Sequence, residues 1–496
     1  MKPIPCTIAC LAWFLLTGCG STYQTQVVPN PSIPRVLSAH DRQQPRQMEI
    51  YFDGTSNNWK ARTNVRRRFE LAAQAEDPAN PCLYIEGVGT DSLAGKAFGV
   101  GMKSRVLTAY KFLARHYRPG RSAGKEDRIL VFGFSRGAFQ ARMLTGLIAH
   151  CGLPTVPEKA HKTREERKKE EKDLDTLAEQ IWKYSEKHLL DLTQKESRRG
   201  GADAWRTRLA SNRNAVKRDV GALFPDFTWS NPNIKLLAIW DTVPGLPFDE
   251  LHKRGEPEHG RQRYKLGAYP NIETIVHALS LDDRRSKFEP LPVGAPVDPA
   301  ATNVYEVWFP GAHSDVGGGY ADSNDMAGTS FNWLHRIMKQ RGVTSRLIPV
   351  YDDPLALMHH PEEALVHKLT SDSIPRKVPA GAHIDRSVFR RADGNAHPEE
   401  NRRRYVVYQT SNHVSGGPAH GRRLEVTQAG KTRAEQERYL ASLGLVFHDD
   451  TGQSAEKALP ERGAQPLSIT QMAAAWNGVE PVEKASSQEK PASQTP

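Results

Sequence analysis

Between residue 48 and about residue 340, short apolar runs alternate with stretches in which apolar residues recur every three or four positions. Met48–Phe52, Cys82–Ile85, Arg128–Phe132, Ile234–Trp240 and Val304–Phe309 are rich in β-branched and aromatic residues, and each ends at or beside a glycine, an aspartate or Pro-Gly. That pattern predicts buried strands. Val106, Leu107, Tyr110, Leu113, Ala114 and Tyr117 keep one face of a helix between the second and third runs. Phe139, Met143, Leu144, Leu147 and Ile148 do the same after the third, with Gly152 and Pro154 to stop it. From about Glu158 to Arg199 a charged run, Arg164–Lys172, leads into Leu174, Leu177, Ile181, Tyr184, His188 and Leu192, which predicts one long amphipathic helix. Strands alternating with helices predict an α/β fold of the α/β-hydrolase type: a mostly parallel sheet with helices on both faces, and a helical insertion at about 158–228.

The chain outside this region reads differently. Lys2, the apolar run Ile8–Leu16 and Leu16-Thr17-Gly18-Cys19 form a short export signal ending in a lipobox. Residues 1–18 are expected to be cleaved, leaving Cys19 to carry a diacylglycerol and a further acyl chain, which together make a lasting anchor. The expected location is the cell envelope, facing the periplasm, with the outer membrane favoured because Gly20 follows the cysteine rather than aspartate. Residues 19–47, polar and carrying Pro29, Pro31, Pro34 and Pro45, read as the lipidated N-terminus and a linker. The catalytic domain is expected at 48–340, an accessory α+β region at 341–450 and a disordered tail at 451–496.

Composition changes this picture little. The chain has 496 residues, and 68 Lys plus Arg against 57 Asp plus Glu give a net charge of +11. No basic stripe interleaved with aromatics appears, so a nucleic-acid partner is not expected. Of the five cysteines, Cys6 and Cys10 fall in the signal, and Cys82 and Cys151 are left either bridged or as two buried thiols. The cysteines do not have zinc spacing, and neither a metal nor a cofactor is expected.

The chemistry centres on Gly133-Phe134-Ser135-Arg136-Gly137, a Gly-x-Ser-x-Gly sequence between a strand and a helix. At such an elbow the serine is presented on a strained bend, and only small neighbours let strand and helix approach. A serine hydroxyl needs a histidine to take its proton and a carboxylate to hold that histidine. Asp241, at the carboxyl end of the run Ile234–Trp240, is the candidate acid, with Asp226, Asp282 and Asp283 as rivals. Among 18 histidines the candidate base is His313, in the glycine-rich stretch Phe309–Tyr320, with His277 as its nearest rival. An oxyanion would be met by the N–H of Arg136 and by Gly54 or Thr55, on the polar loop Asp53–Asn58. That loop reads equally as an Asx-stabilised turn, with a metal role for Asp53 as a minor alternative.

Taken together, Tyr51–Asn58, Gly87–Thr90, Gly133–Ala138, Ile239–Val243, His277–Asp283 and Phe309–Gly319 resemble the type VI secretion phospholipase effectors of the Tle type and their relatives. The resemblance spans roughly residues 48–340. It implies an α/β-hydrolase domain that hydrolyses acyl esters of membrane phospholipids, with Ser135 and His313 as its carried-over catalytic residues. Asp241 follows from its place in the fold. The effectors are loaded into a secretion machine from the cytoplasm, whereas the lipobox points to a resident envelope enzyme held by its lipid anchor. The expected substrate is a phospholipid or another acyl ester, and any secretion-system or immunity partner is unspecified. The competing expectation is a non-catalytic envelope lipoprotein that uses the hydrolase fold as a binding scaffold.

Overall fold

A computed structural model describes residues 23–28, 45–58, 60–73, 80–89, 101–120, 126–156, 163–189, 194–244, 264–343, 347–364, 373, 376, 378–379 and 381–393, and beyond these only 406–409, 422–425, 434, 437–438, 441 and 446–448. The expected export signal at 1–18, Cys19 and the expected disordered tail at 451–496 lie outside the described residues.

In chain order the strands are β1 (Thr25–Val28), β2 (Gln47–Phe52), β3 (Cys82–Ile85), β4 (Arg128–Phe134), β5 (Leu153–Thr155), β6 (Thr228–Ser230), β7 (Ile234–Trp240), β8 (Thr274–Ser280), β9 (Asn303–Phe309), β10 (His383–Asp385), β11 (Val406–Gln409), β12 (Arg422–Glu425) and β13 (Val446–His448). The helices are α1 (Asn64–Ala73), α2 (Met102–His116), α3 (Arg136–Cys151), α4 (Arg164–His188), α5 (Gln194–Asp219), α6 (His313–Gly317), α7 (Asp325–Gln340) and α8 (Ser387–Asp393). Among the described residues, nine strands form one sheet in the order β1-β3-β2-β4-β7-β8-β9-β10-β13. All neighbours in it are parallel except β1 and β3.

Period-two alternation decides what each face buries. Ile50, Phe52, Ile129 and Val131 face α2, α3 and α4 through Val106, Leu113, Phe139, Leu144 and Leu177. Tyr51, Leu130, Phe132 and Phe134 face α1 and α7 through Val65, Phe69, Phe331 and Leu334. Helices therefore cover both faces, as an α/β-hydrolase-like fold requires. Tyr51 and Phe132 stack with centroids 4.7 Å apart, locking β2 to β4.

The single long helix expected at 158–199 is two helices, α4 and α5. Thr163 and Glu166 form a reciprocal capping box that starts α4, worth about 1 kcal/mol. Leu174, Leu177, Ala178, Ile181 and Trp182 are buried while His188 is exposed, so the stripe docks α4 onto the domain rather than presenting it to solvent. Each fully buried Leu or Ile contributes roughly 1.5–3 kcal/mol to that docking. β5 and β6 pair antiparallel and close the base of the insertion.

Three further elements differ from expectation. β8 was hidden because His277 interrupts its apolar run, and the fold buries that histidine by bonding both ring nitrogens. Within the expected accessory α+β region at 341–450, β10 and β13 extend the main sheet beside β9. Part of the expected linker is β1, an edge strand on β3. Cys82 and Cys151 are buried thiols that are not bridged. No described helix is long and apolar enough to cross a membrane.

Candidate active site

Ser135 joins β4 directly to α3 with φ 60° and ψ −126°, a conformation costly for any residue with a side chain. The bend survives because its neighbours are glycines. A Cβ at Gly137 would lie 2.3 Å from the carbonyl oxygen of Phe52, and one at Gly133 would lie 2.6 Å from that of Gly137. The serine is nearly fully buried, and its N–H donates to the carbonyl of Trp240 at 3.0 Å. The Val243 N–H donates to the carbonyl of Ser135 at 3.4 Å, so the elbow is stitched to the turn that carries Asp241.

Asp241 leaves β7 through a positive φ of 38° and is fully buried. His313 Nδ1 donates to its Oδ2 at 2.5 Å, which fixes the tautomer that leaves Nε2 as the acceptor. Sequence reasoning missed a third partner. Arg376 donates to both carboxylate oxygens, Nη1 to Oδ1 at 2.6 Å and Nη2 to Oδ2 at 2.9 Å. Its Nη1 and Nη2 also donate to the carbonyls of Ser280 and Phe288, each at 2.7 Å. Burial alone would raise the Asp241 pKa, but the Arg376 charge and the His313 hydrogen bond hold it well below the usual carboxylate range. Burial pulls the His313 pKa below the ordinary imidazole value, although Asp241 opposes that shift. The ring therefore stands neutral and able to take a proton near neutral pH.

The His313 turn is shaped by glycine and by carboxylates. His313 opens the short helix α6, and a Cβ at Gly317 would lie 2.0 Å from the Phe134 ring. This close approach sets the Phe134 and His313 rings 4.6 Å apart, and Phe288 closes the other side at 5.1 Å. Asp283 accepts the His313 N–H at 3.1 Å and is ion-paired to Arg285, while Asp282 accepts the N–H of Gly311 at 2.6 Å. These rivals of Asp241 brace the loop instead. Asp226 is exposed on the insertion. His277 accepts the Thr242 N–H on Nε2 at 3.1 Å and donates from Nδ1 to Glu306 at 2.8 Å, fixing the residue after Asp241.

The expected oxyanion donors are divided by the structure. The Gly54 N–H is held by Asp53 Oδ1 at 2.7 Å and so is occupied, a correction to its expected role. The Thr55 N–H is the remaining choice on that loop, and the Thr55 hydroxyl accepts from Arg136 Nη1 at 2.9 Å, which ties the loop to the residue after Ser135. Asp53 also accepts from Thr63 and Tyr84 at 2.8 and 2.7 Å, so its oxygens are occupied by donors rather than turned toward a cation. Among the described residues, His360, Glu362 and Glu363 are the group whose ligand atoms converge, within 4.8 Å of one another.

The structure thus bonds Asp241 to His313, and backbone hydrogen bonds tie the Ser135 turn to the turn that carries Asp241. No hydrogen bond links the Ser135 hydroxyl to His313 among the described residues. All three lie past the carboxyl ends of β4, β7 and β9, where sites gather in open parallel sheets.

The family model "T6SS, Phospholipase effector Tle1-like, catalytic domain" matches residues 46–337. The chain belongs to that family. The Tle1-like match covers every strand from β2 to β9 and all three predicted triad positions, and it stops short of Arg376. The uncharacterized protein YEL023C of Saccharomyces cerevisiae is 26% identical over 263 residues, which is 49% of this chain and 32% of that protein. The Tle1 effector bound to the VgrG spike of the type 6 secretion system is 15% identical over 60% of this chain and 57% of that one, with a TM-score of 0.27. The chain therefore spans about a third of the curated relative and little more than half of the effector. A butyrate-bound esterase of Thermogutta terrifontis is 12% identical over 65% of this chain and 90% of that one, with a TM-score of 0.29.

Proposed function

We propose that the protein is a serine-dependent carboxylic-ester hydrolase acting on membrane phospholipids, with Ser135, His313 and Asp241 as its triad. The observation that carries this reading is the meeting, at one sheet edge of a Tle1-like domain, of a serine on a strained elbow and a neutral histidine hydrogen-bonded to a buried aspartate. In this mechanism His313 Nε2 takes the Ser135 proton as Oγ attacks the acyl carbonyl carbon. The N–H groups of Arg136 and Thr55 receive the oxyanion. Collapse breaks the ester C–O bond, and His313 returns the proton to the departing lysophospholipid oxygen. Water, deprotonated by His313, then attacks the acyl-enzyme and releases a fatty acid. Asp241 holds the ring and stabilises the imidazolium, and Arg376 holds Asp241.

The lipobox reading adds a location, with Cys19 anchoring the enzyme in the envelope on the periplasmic side. The test is fluorophosphonate labelling together with phospholipid and short-ester turnover. Wild-type protein should label and Ser135→Ala should not, with turnover falling at least about 10³-fold. A Ser135→Ala protein that keeps full turnover, or a wild-type protein inert to both probe and esters, rejects the proposal, and the latter favours the scaffold alternative.

A further inference from the structure

The N-terminal strand fixes where the chain leaves the domain. Thr25 pairs with Ile85, Ile85 with Phe52, and Phe52 with Gly133, so these four residues form one row across the sheet. β1 runs antiparallel to β3, so the chain preceding Thr25 travels past this row in the direction that β4 takes to Ser135. Tyr23 stands two residues beyond the row on one side, as Ser135 does on the other. Three strand spacings separate β1 from β4, about 14 Å.

Tyr23 is pinned there. Its hydroxyl lies 2.6 Å from Thr108 Oγ1, and the Arg105 guanidinium sits 4.1 Å from its ring centroid. Buried Arg105 is itself held by the carbonyls of Glu86 and Gly87 at 2.8 and 3.0 Å. The Gln24 N–H donates to Glu86 Oε2 at 3.2 Å, and the Glu86 N–H donates to the carbonyl of Gln24 at 3.3 Å. Only four residue steps separate Tyr23 from Cys19. Whatever their conformation, they span at most about 14 Å.

We propose that lipid on Cys19 seats the catalytic edge of the sheet against the bilayer that holds the anchor, so that the substrates are phospholipids of that same membrane. This rests on the hydrolase and lipobox readings above and adds an orientation and a reach. An anchor entering at the opposite edge, or through a long free linker, would let the domain face away or sample other membranes. Here the leash is shorter than half a bilayer core and leaves from the edge where Ser135 and His313 lie. Lys60 and Arg62, exposed on the chain leaving β2 at that edge, suit anionic headgroups.

The experiment uses full-length acylated protein in phosphatidylethanolamine–phosphatidylglycerol vesicles, mixed with protein-free vesicles of the same lipids bearing deuterated acyl chains. Mass spectrometry counts the products from each population and the acyl chains on Cys19. Products from the protein's own vesicles should exceed the others at least tenfold. Inserting about twenty Gly/Ser residues between Gly20 and Ser21 raises the root-mean-square reach from about 11 Å to about 27 Å and should lower the same-vesicle rate roughly tenfold, leaving turnover of a short soluble ester unchanged. Equal products from both populations, or an insertion without effect, overturns the orientation while soluble-ester turnover keeps the hydrolase reading intact. An unacylated Cys19 overturns it through the anchor, and absent soluble-ester turnover overturns it through the enzyme.

Discussion

Replacing Arg376 by glutamine removes the cation that neutralises Asp241 in a buried site. The side chain is buried, as is its partner, and two charge-assisted hydrogen bonds of 2.6 and 2.9 Å are lost. Each such bond contributes about 1.5–3 kcal/mol, and breaking one side of a buried pair costs about 3–5 kcal/mol, since the remaining charge is stranded. Asp241 would keep only the Ser280 N–H and His313 as partners. Urea unfolding of Arg376→Gln at pH 7 should therefore show a loss of about 3–5 kcal/mol. The native Asp241 pKa lies below its ordinary value of about 3.8, so the stabilisation is present above that pH and is lost as pH falls through the folded value. The difference between wild type and variant should shrink in the same direction.

A purely structural role would not move the pH dependence of turnover, so that is the second readout. Asp241 and Asp283 favour the His313 imidazolium, while Arg285 disfavours it beside the burial that lowers its pKa. The Arg376 cation, bonded to both oxygens of Asp241, offsets part of the carboxylate charge that His313 faces. Its removal should move the acid limb of kcat/KM toward higher pH, and Arg376→Lys should move it less. A loss below about 1 kcal/mol, or an unmoved acid limb, would refute the positioning role assigned to Arg376.

Two further outcomes test the frame around the site. Burial raises the Asp53 pKa from 3.8 to about 6 despite the hydrogen bonds from Tyr84, Thr63 and the Gly54 N–H. The fold then favours the protonated form, and stability from this group should fall by about 2 kcal/mol as pH rises from about 4 to about 6. Urea titrations of wild type and Asp53→Asn across that range should diverge, and parallel curves would show that Asp53 is not perturbed. Gly137→Ala would force a Cβ within 2.3 Å of the Phe52 carbonyl and 2.5 Å of the Asp53 carbonyl, both backbone atoms. Unfolding should show a loss of at least about 3 kcal/mol with ester turnover abolished, and a variant of wild-type stability would mean that strand and helix do not approach as closely as described.

The sequence alone determined those features whose demands are local. Short apolar runs rich in β-branched and aromatic residues marked five strands, and glycines at 133 and 137 marked the elbow, because a strained bend constrains its own neighbours in the chain. The positions of Asp241 and His313 could be read because each follows a strand end within the same few residues. Only the tertiary structure decided which charges meet. Arg376 sits 135 residues from Asp241 in a stretch without periodicity, and a buried guanidinium selects its carboxylate by geometry that no spacing encodes. The same holds for β1, whose four residues resemble linker until β3 offers an unpaired edge, and for β8, whose central histidine reads as an interruption until Glu306 and Thr242 satisfy it. Hydrophobic pattern fixes which face of an element is buried, whereas polar pairing in the interior depends on segments that only folding brings together.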